Sequence, residues 1–422
     1  MTDDSIEAAE EGTAISRREV LRKGSLVALG AALPAVIPGG AFARPLAKAA
    51  ASAPIKLGFI ALTDCAPIVM AGYLGFFKKA GLNVQLLKQA SWPATRDALL
   101  NGDIDGAHCL YSLPFSVAAG IGGKGQTALK VAMMLNNNGQ AITLENKLSA
   151  AGYDDLEAAK KALAGGKGKT LAMTFPGGTH DLWLRYWLLA MGIPLDVPKI
   201  IPIPPPQMVA NMKVGAMDGY CVGEPWGAVA VRQKIGFTTI TSQDIWKHHP
   251  EKALVVNETF VGSRRSDLKK LMGAVLQASK WLDASAANRT KAANILGTPN
   301  FVNAKPEEIR ERLLGNYALG LVGHKKKVFH DDKMTYFRGG EVPFPRKSYG
   351  IWALAQYRRF GYLKSAPDYD KLAKSLILTD LYKEVAHANK VPVPNDDMKP
   401  IHIKLDGATF DPKKPEKEAR RK

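Results

Sequence analysis

The chain has 422 residues and a formal net charge of +18, with 57 Lys and Arg against 39 Asp and Glu. At 46% hydrophobic and 23% charged it has an ordinary globular composition, with length for roughly two or three domains. No apolar run after residue 45 is long enough to cross a bilayer. The basic residues are scattered, apart from Lys325-Lys326-Lys327 and the last stretch, DPKKPEKEARRK. They form no nucleic-acid motif or basic–aromatic stripe, so no nucleic-acid partner is expected.

The N-terminus is polar and acidic to residue 15. Ser16-Arg17-Arg18-Glu19-Val20-Leu21-Arg22-Lys23 is followed by an apolar stretch from Leu26 to Ile37 and by Gly39-Gly40-Ala41-Phe42-Ala43. Basic, apolar and small-residue parts in that order read as a secretory signal over residues 1–43. The paired arginines read as the twin-arginine type, which addresses folded proteins for export to the periplasm. Cleavage after Ala43 would remove six acidic and four basic residues, taking the charge from +18 to +20.

Ile55 to Leu62 predicts a strand, Ala66 to Lys79 a helix, and Asn83 to Leu87 a second strand. This βαβ unit favours a parallel sheet and an α/β fold. Trp92-Pro93-Ala94-Thr95 opens a helix through Leu100, and Asp103 to Ala107 leads into a third short strand. Asp64 has two readings: it caps the helix that begins near Ala66, or it faces the pocket, where it accepts from a ligand hydroxyl or helps hold a cation. Val131 to Leu135 is apolar, Asn136 to Gln140 is a polar turn, and Ala141 to Leu144 resumes an extended run. Cys65, Cys109 and Cys221 are far apart, match no metal or redox spacing, and read as small buried hydrophobes.

In TLAMTFPGGTHDLWLRYW, residues 170 to 187, Thr170 to Phe175 reads as a strand and Pro176-Gly177-Gly178-Thr179 as a turn. A helix follows from Asp181, with Thr179 and His180 at its start. The first N–H groups of a helix lack partners and carry partial positive charge, and a glycine turn lets a ligand approach them. Gly178, Thr179 and His180 therefore read as an anion seat. The competing reading is that Thr179 is an ordinary N-cap and His180 a satisfied surface residue.

Lys199 to Ile203 predicts a strand and Gln207 to Val214 a helix. Gly102, Asp105, Gly106 and Pro114 in the first half then find counterparts in Gly215, Asp218, Gly219 and Pro225. This weak internal similarity favours two similar α/β lobes. Helical patterns cover Leu268–Leu282, Ala286–Leu296, Pro306–Leu314, Tyr349–Phe360 and Leu372–Leu381. The expected organisation is residues 55–140 as the first part of lobe 1, 141–254 as lobe 2, and 255–394 as the second, helical part of lobe 1. Residues 395–422, rich in Pro and Lys, are expected to be a loosely ordered basic tail.

The stretches KLGFIALTDCAPIVMAGYLGFFKKAGLNVQLLKQASWPATRD, FPGGTHDLWLRYWL, and CVGEPWGA followed by WKHHPEKA resemble the nitrate- and bicarbonate-binding family of ABC-transporter solute-binding proteins. The resemblance covers most of residues 55–360. It implies a C-shaped, two-lobed periplasmic-binding-protein fold of type II, with the ligand in the cleft between lobes. It also implies ligand positions at Trp92, Gln140, His180, Gly223 and Lys252. Nitrate has three acceptor oxygens and no donor, so it suits lysine, imidazole, amide and indole donors. Bicarbonate adds a hydroxyl that needs an acceptor, and the bicarbonate branch of the family has a glutamate where Lys252 stands, so nitrate, and with it nitrite, is favoured. Glu251 immediately precedes Lys252, and a one-residue slip would put the acid in the site.

The expected function is a monomeric periplasmic protein of nitrate assimilation. It would bind nitrate without cofactor or metal and deliver it to an inner-membrane ABC permease. The alternatives are bicarbonate, a sulfonate or another small oxyanion as ligand, or a nitrate sensor for a regulatory partner. No G-x-S-x-G, H-E-x-x-H or Walker signature is present, so no enzyme is expected. The adjacent His248 and His249 read as solvated turn residues.

Overall fold

The computed structural model describes residues 53–323 and 325–421. Residues 1–43, read from the sequence as a secretory signal, lie outside them.

Ten strands form two five-stranded sheets. They are β1 (Ile55–Phe59), β2 (Val84–Lys88), β3 (Gly106–Leu110), β4 (Leu129–Asn137), β5 (Gln140–Glu145), β6 (Thr170–Met173), β7 (Lys199–Pro202), β8 (Gly219–Gly223), β9 (Gly236–Thr241) and β10 (Pro250–Asn257). The sheet orders are β2-β1-β3-β10-β4 and β7-β6-β8-β5-β9. In each, four strands run in one direction, and the single antiparallel strand lies between the central strand and the far edge. That antiparallel strand enters directly from the other sheet: β5 follows β4 across Asn138-Gly139, and β10 follows β9 across residues 242–249. The chain thus crosses between sheets at two places.

The weak internal similarity has a structural basis. Asp105 precedes the central strand β3, and its carboxylate accepts from Lys56 N at 2.8 Å while its own N–H donates to Lys56 O. Asp218 precedes the central strand β8 and does the same with Thr170, again at 2.8 Å. In both sheets this aspartate ties the central strand to the start of its parallel neighbour.

Several boundaries differ from the sequence pattern. The helix expected over Ala66–Lys79 is two helices, Ala66–Tyr73 and Phe76–Lys79. Gly75 at φ 73° breaks it, in a left-handed conformation that costs glycine little. The helix expected over Leu372–Leu381 is also two, Tyr369–Leu376 and Thr379–Ala388. Between them the chain extends so that Ile377 bridges Val131 and Leu378 N donates to Val131 O. The boundary drawn at residue 254 is corrected: β10 pairs with β3 and β4, so the return to the first sheet precedes Pro250.

The tail is corrected as well. Residues 401–419 form a two-stranded hairpin, Ile401–His402 with Thr409–Phe410, and a helix, Pro415–Ala419. Ile401, Ile403 and Phe410 are buried, and Glu418 accepts from Gln356 at 2.8 Å. The high Pro and Lys content hides an apolar alternation at 401, 403 and 405 that seats this segment. Among the described residues, no helix is long and apolar enough to cross a membrane.

Candidate anion-binding site

The two crossings place polar side chains at the meeting of the sheets. Gln140 is the first residue of β5, and Glu251 and Lys252 are the second and third of β10. Asp64 and Trp92 follow β1 and β2, His108 lies on β3, and Thr179 and His180 open the helix Thr179–Ala190. All eight are buried, with exposures of 0–2%.

Lys252 is the hub. Its Nζ lies 2.8 Å from Asp64 Oδ2 and 2.8 Å from Glu251 Oε1. A lysine ammonium has three donors, so two are committed to these carboxylates. The same nitrogen is 5.7 Å from the Trp92 ring centre, within cation–π range. Burial pushes the Lys252 pKa down, but Asp64 and Glu251 outweigh that and raise it, so the ammonium stays charged. A solvated role for Lys252 is excluded.

Asp64 faces this cluster and does not cap the following helix, whose N-cap is Cys65. Its carboxylate accepts from His108 Nε2 at 2.7 Å and from Gln140 Nε2 at 3.4 Å. Burial raises its pKa, but Lys252 and His108 outweigh that and hold it well below the usual carboxylate range. Glu251 accepts from Thr179 Oγ1 at 2.5 Å and from Trp183 Nε1 at 3.2 Å. Burial dominates there and the pKa is raised, with Lys252 and Thr179 offsetting only part. The two carboxylates on one lysine thus have pKa values shifted in opposite directions.

Thr179 is not an N-cap; Gly178 holds that position, with no side-chain capping bond. Gly178 brings no donor, but a methyl there would come within 2.7 Å of Leu110 Cδ1 and 2.9 Å of Phe175 O. His180 is no surface residue. Its Nδ1 is hydrogen-bonded to the Thr174 hydroxyl, and its Nε2 has no partner. With the Thr174 hydroxyl donating, Nε2 carries the proton and is an open donor. Burial first, then Lys252, keeps the imidazole neutral, with its pKa well below the ordinary value. Trp92 Nε1 is a second buried donor without a partner. Gly223 pairs with Gln140 across β8 and β5, and a Cβ on it would stand 3.2 Å from Gln140 Oε1. The structure therefore brings all five resemblance-derived residues into one cluster.

Sequence reasoning raised Asp64 and Glu251 but did not assign them, and it missed His108, Trp183, Thr174 and His249. His249 is buried, not solvated: its Nδ1 lies 3.0 Å from Pro250 O and its Nε2 2.7 Å from Ser242 Oγ. The signal for His108 was a titratable residue in the all-buried strand GAHCL. The three cysteines are buried and free, and among the described residues no His, Cys, Asp and Glu grouping could hold a metal ion. A cavity of about 700 Å³ lined by Arg232, Glu307, Glu311, Tyr317 and Lys327 includes none of the site residues.

Two five-stranded α/β sheets exchanging one antiparallel strand each, with a buried polar cluster at the exchange, define a periplasmic-binding-protein fold. Residues 48–297 match the NMT1-like family, and the chain belongs to it. It is 39% identical over 377 residues to the nitrate/nitrite binding protein NrtA of Synechococcus elongatus, covering 86% of this chain and 84% of that protein. The crystal structure of the periplasmic nitrate-binding protein NrtA from Synechocystis matches at TM-score 0.82 and 37% identity, over 87% of this chain and 97% of that one. The bicarbonate-binding protein CmpA of Synechococcus elongatus is 30% identical over 384 residues, covering 86% of this chain and 85% of CmpA.

Proposed function

We propose that this protein captures nitrate, and with it nitrite, as the solute-binding component of an ABC transporter. It works in the periplasm as a monomer, reaches it by the twin-arginine route, and hands its ligand to a membrane permease. Residues of the first sheet with 255–394 form one lobe, and residues between the crossings form the other. The reading agrees with the nitrate-binding names of the more similar relatives.

One observation carries it: Trp92 Nε1 and, with the Thr174 hydroxyl donating to its Nδ1, His180 Nε2 are buried donors without partners, in the same cluster as a charged lysine with a donor to spare. Buried donors are almost always paired, so two open ones beside an ammonium suit an acceptor-only anion. Gln140 and Gly223 complete the wall, with Thr179 and Gly178 at its helical edge. The lobes part to admit the ion and close over it, and the closed form is the one presented to the permease.

A second reading, bicarbonate, is favoured by one feature. Gln140 Oε1 is an unpartnered acceptor beside the Asp64 carboxylate, and a ligand hydroxyl could donate to either. Calorimetric titration with nitrate and then bicarbonate decides. Nitrate binding is expected, and a Lys252→Gln variant should lose about 10- to 100-fold in affinity, the worth of one charge-assisted bond at roughly 1.5–3 kcal/mol. Bicarbonate binding with nitrate silent would overturn the nitrate reading.

A further inference from the structure

The charges around the seat do not suit a second anion as they stand. Asp64 and Glu251 face one ammonium, Lys252, and all three side chains are fully buried. The other titratable groups near Glu251 come from four elements. His180 Nε2 on the Thr179–Ala190 helix is 3.8 Å from Oε1, and His249 Nδ1 just before β10 is 3.7 Å from Oε2. His108 on β3 reaches Glu251 only through Asp64 and Lys252. Cys221 on β8 is held neutral, by burial first and then by the Glu251 charge itself. Burial also keeps the three histidines neutral. With both carboxylates ionised the cluster is net negative by one charge, and nitrate would make it two in a site without solvent, where unpaired charge is disfavoured.

Glu251 also sits on the donors an anion would want. Thr179 Oγ1 and Lys252 Nζ donate to one carboxylate oxygen and Trp183 Nε1 to the other. We propose that Glu251 is a proton-linked competitor within the anion seat: nitrate enters together with one proton from solvent, and that proton lodges on Glu251. Protonation turns an acceptor facing the seat into a donor and frees Lys252 to turn toward the ion. It also leaves the loaded cluster with the net charge it had before. Both carboxylates accept from three donors, but Glu251 is the one beside the unpartnered His180 Nε2, at 3.8 Å, and it holds Thr179 at the helix start, so the proton is assigned to it and not to Asp64. The opposite pKa directions of the two carboxyls agree with this division.

This rests on the nitrate reading, and the test separates the two. The protein is titrated with nitrate between pH 6 and 9, at each pH in two chloride-containing buffers of different ionisation enthalpy, so that protons taken up per nitrate are read directly. Uptake should approach one at the alkaline end, with affinity falling about tenfold per pH unit there. Glu251→Gln, which keeps shape and cannot ionise, should bind nitrate with no uptake and a flat pH profile. Wild-type binding without uptake across the range would overturn the proposal. So would uptake that persists in Glu251→Gln, which would pass the role to a histidine. If that variant does not fold, Glu251→Asp takes its place: its uptake should shift along the pH axis, and uptake unchanged from wild type would overturn the proposal. No nitrate binding at any pH is a failure of the functional reading instead.

Discussion

Burial at single residues controls which groups in the site are charged. His249 is enclosed beside Lys252, and burial drives its pKa from 6.5 down to about 3, with Lys252 and His248 adding to the effect. A base lowered in this way contributes stability that is present above pH 6.5 and lost as pH falls toward 3, because the unfolded chain takes up the proton first. At pH 5 that loss is roughly 2 kcal/mol, from about 1.36 kcal/mol per unit. Other groups titrate in the same window, Glu251 in the opposite sense, so the measurement is a difference. Urea unfolding of the wild type and of His249→Asn is compared at pH 7.5 and pH 5. The wild type should lose about 2 kcal/mol more than the variant; equal losses would mean that His249 is not held neutral. At this scale the motifs named Trp92, Gln140, His180, Gly223 and Lys252, and the fold gathers them in one cluster. The sequence was illegible where partnership crosses the fold: Asp64 and His108 are 44 positions apart, and Thr179 and Glu251 72.

Elements position the site through their ends. The helix Thr179–Ala190 starts where Gly178 packs under Leu110 and Phe175, so its first turn is fixed against the first sheet. Gly178→Ala would push a methyl to 2.7 Å from Leu110 Cδ1 and 2.9 Å from a backbone oxygen. Overpacking of this kind costs about 1–3 kcal/mol, and the shift falls on Thr179 and His180. Both the urea midpoint and nitrate affinity should drop. Gly262→Ala is the control: a helical glycine with open space beside it, it should be neutral or slightly stabilising. Unchanged binding in Gly178→Ala would detach the helix start from the site. The α/β pattern itself was legible from the period of apolar residues, and helices Ala286–Leu296 and Pro306–Leu314 fall where that pattern put them. The strands β9 and β10 were not read, although GFTTIT and ALVV are β-branched runs. Polar WKHHPEK beside them looks like loop, because its burial comes from the second crossing and not from its own composition.

For the molecule as a whole, the C-terminal segment is a strap across the second sheet and the long helix Lys347–Arg359. Leu405 N donates to Ile245 O at 3.1 Å, Lys404 pairs with Asp244 at 2.7 Å, and Tyr186 Oη donates to Asp406 at 2.9 Å. Tyr186 belongs to the helix that opens with Thr179 and His180. Glu418 accepts from Gln356 on the long helix, whose Tyr357 Oη in turn donates to Ser112 O beside the first sheet. The strap therefore braces one site-bearing helix against an element that also touches the other sheet. Removing residues 401–422 exposes the seats of Ile401, Ile403 and Phe410. At roughly 1.5–3 kcal/mol for each buried side chain, the loss is about 5 kcal/mol or more, a large share of a typical protein's stability. The truncated protein should melt several degrees lower and bind nitrate more weakly, because the Thr179–Ala190 helix loses its brace. A melting temperature within a degree of the full chain, with affinity unchanged, would show that the segment contributes nothing to the fold and that its composition was the better guide.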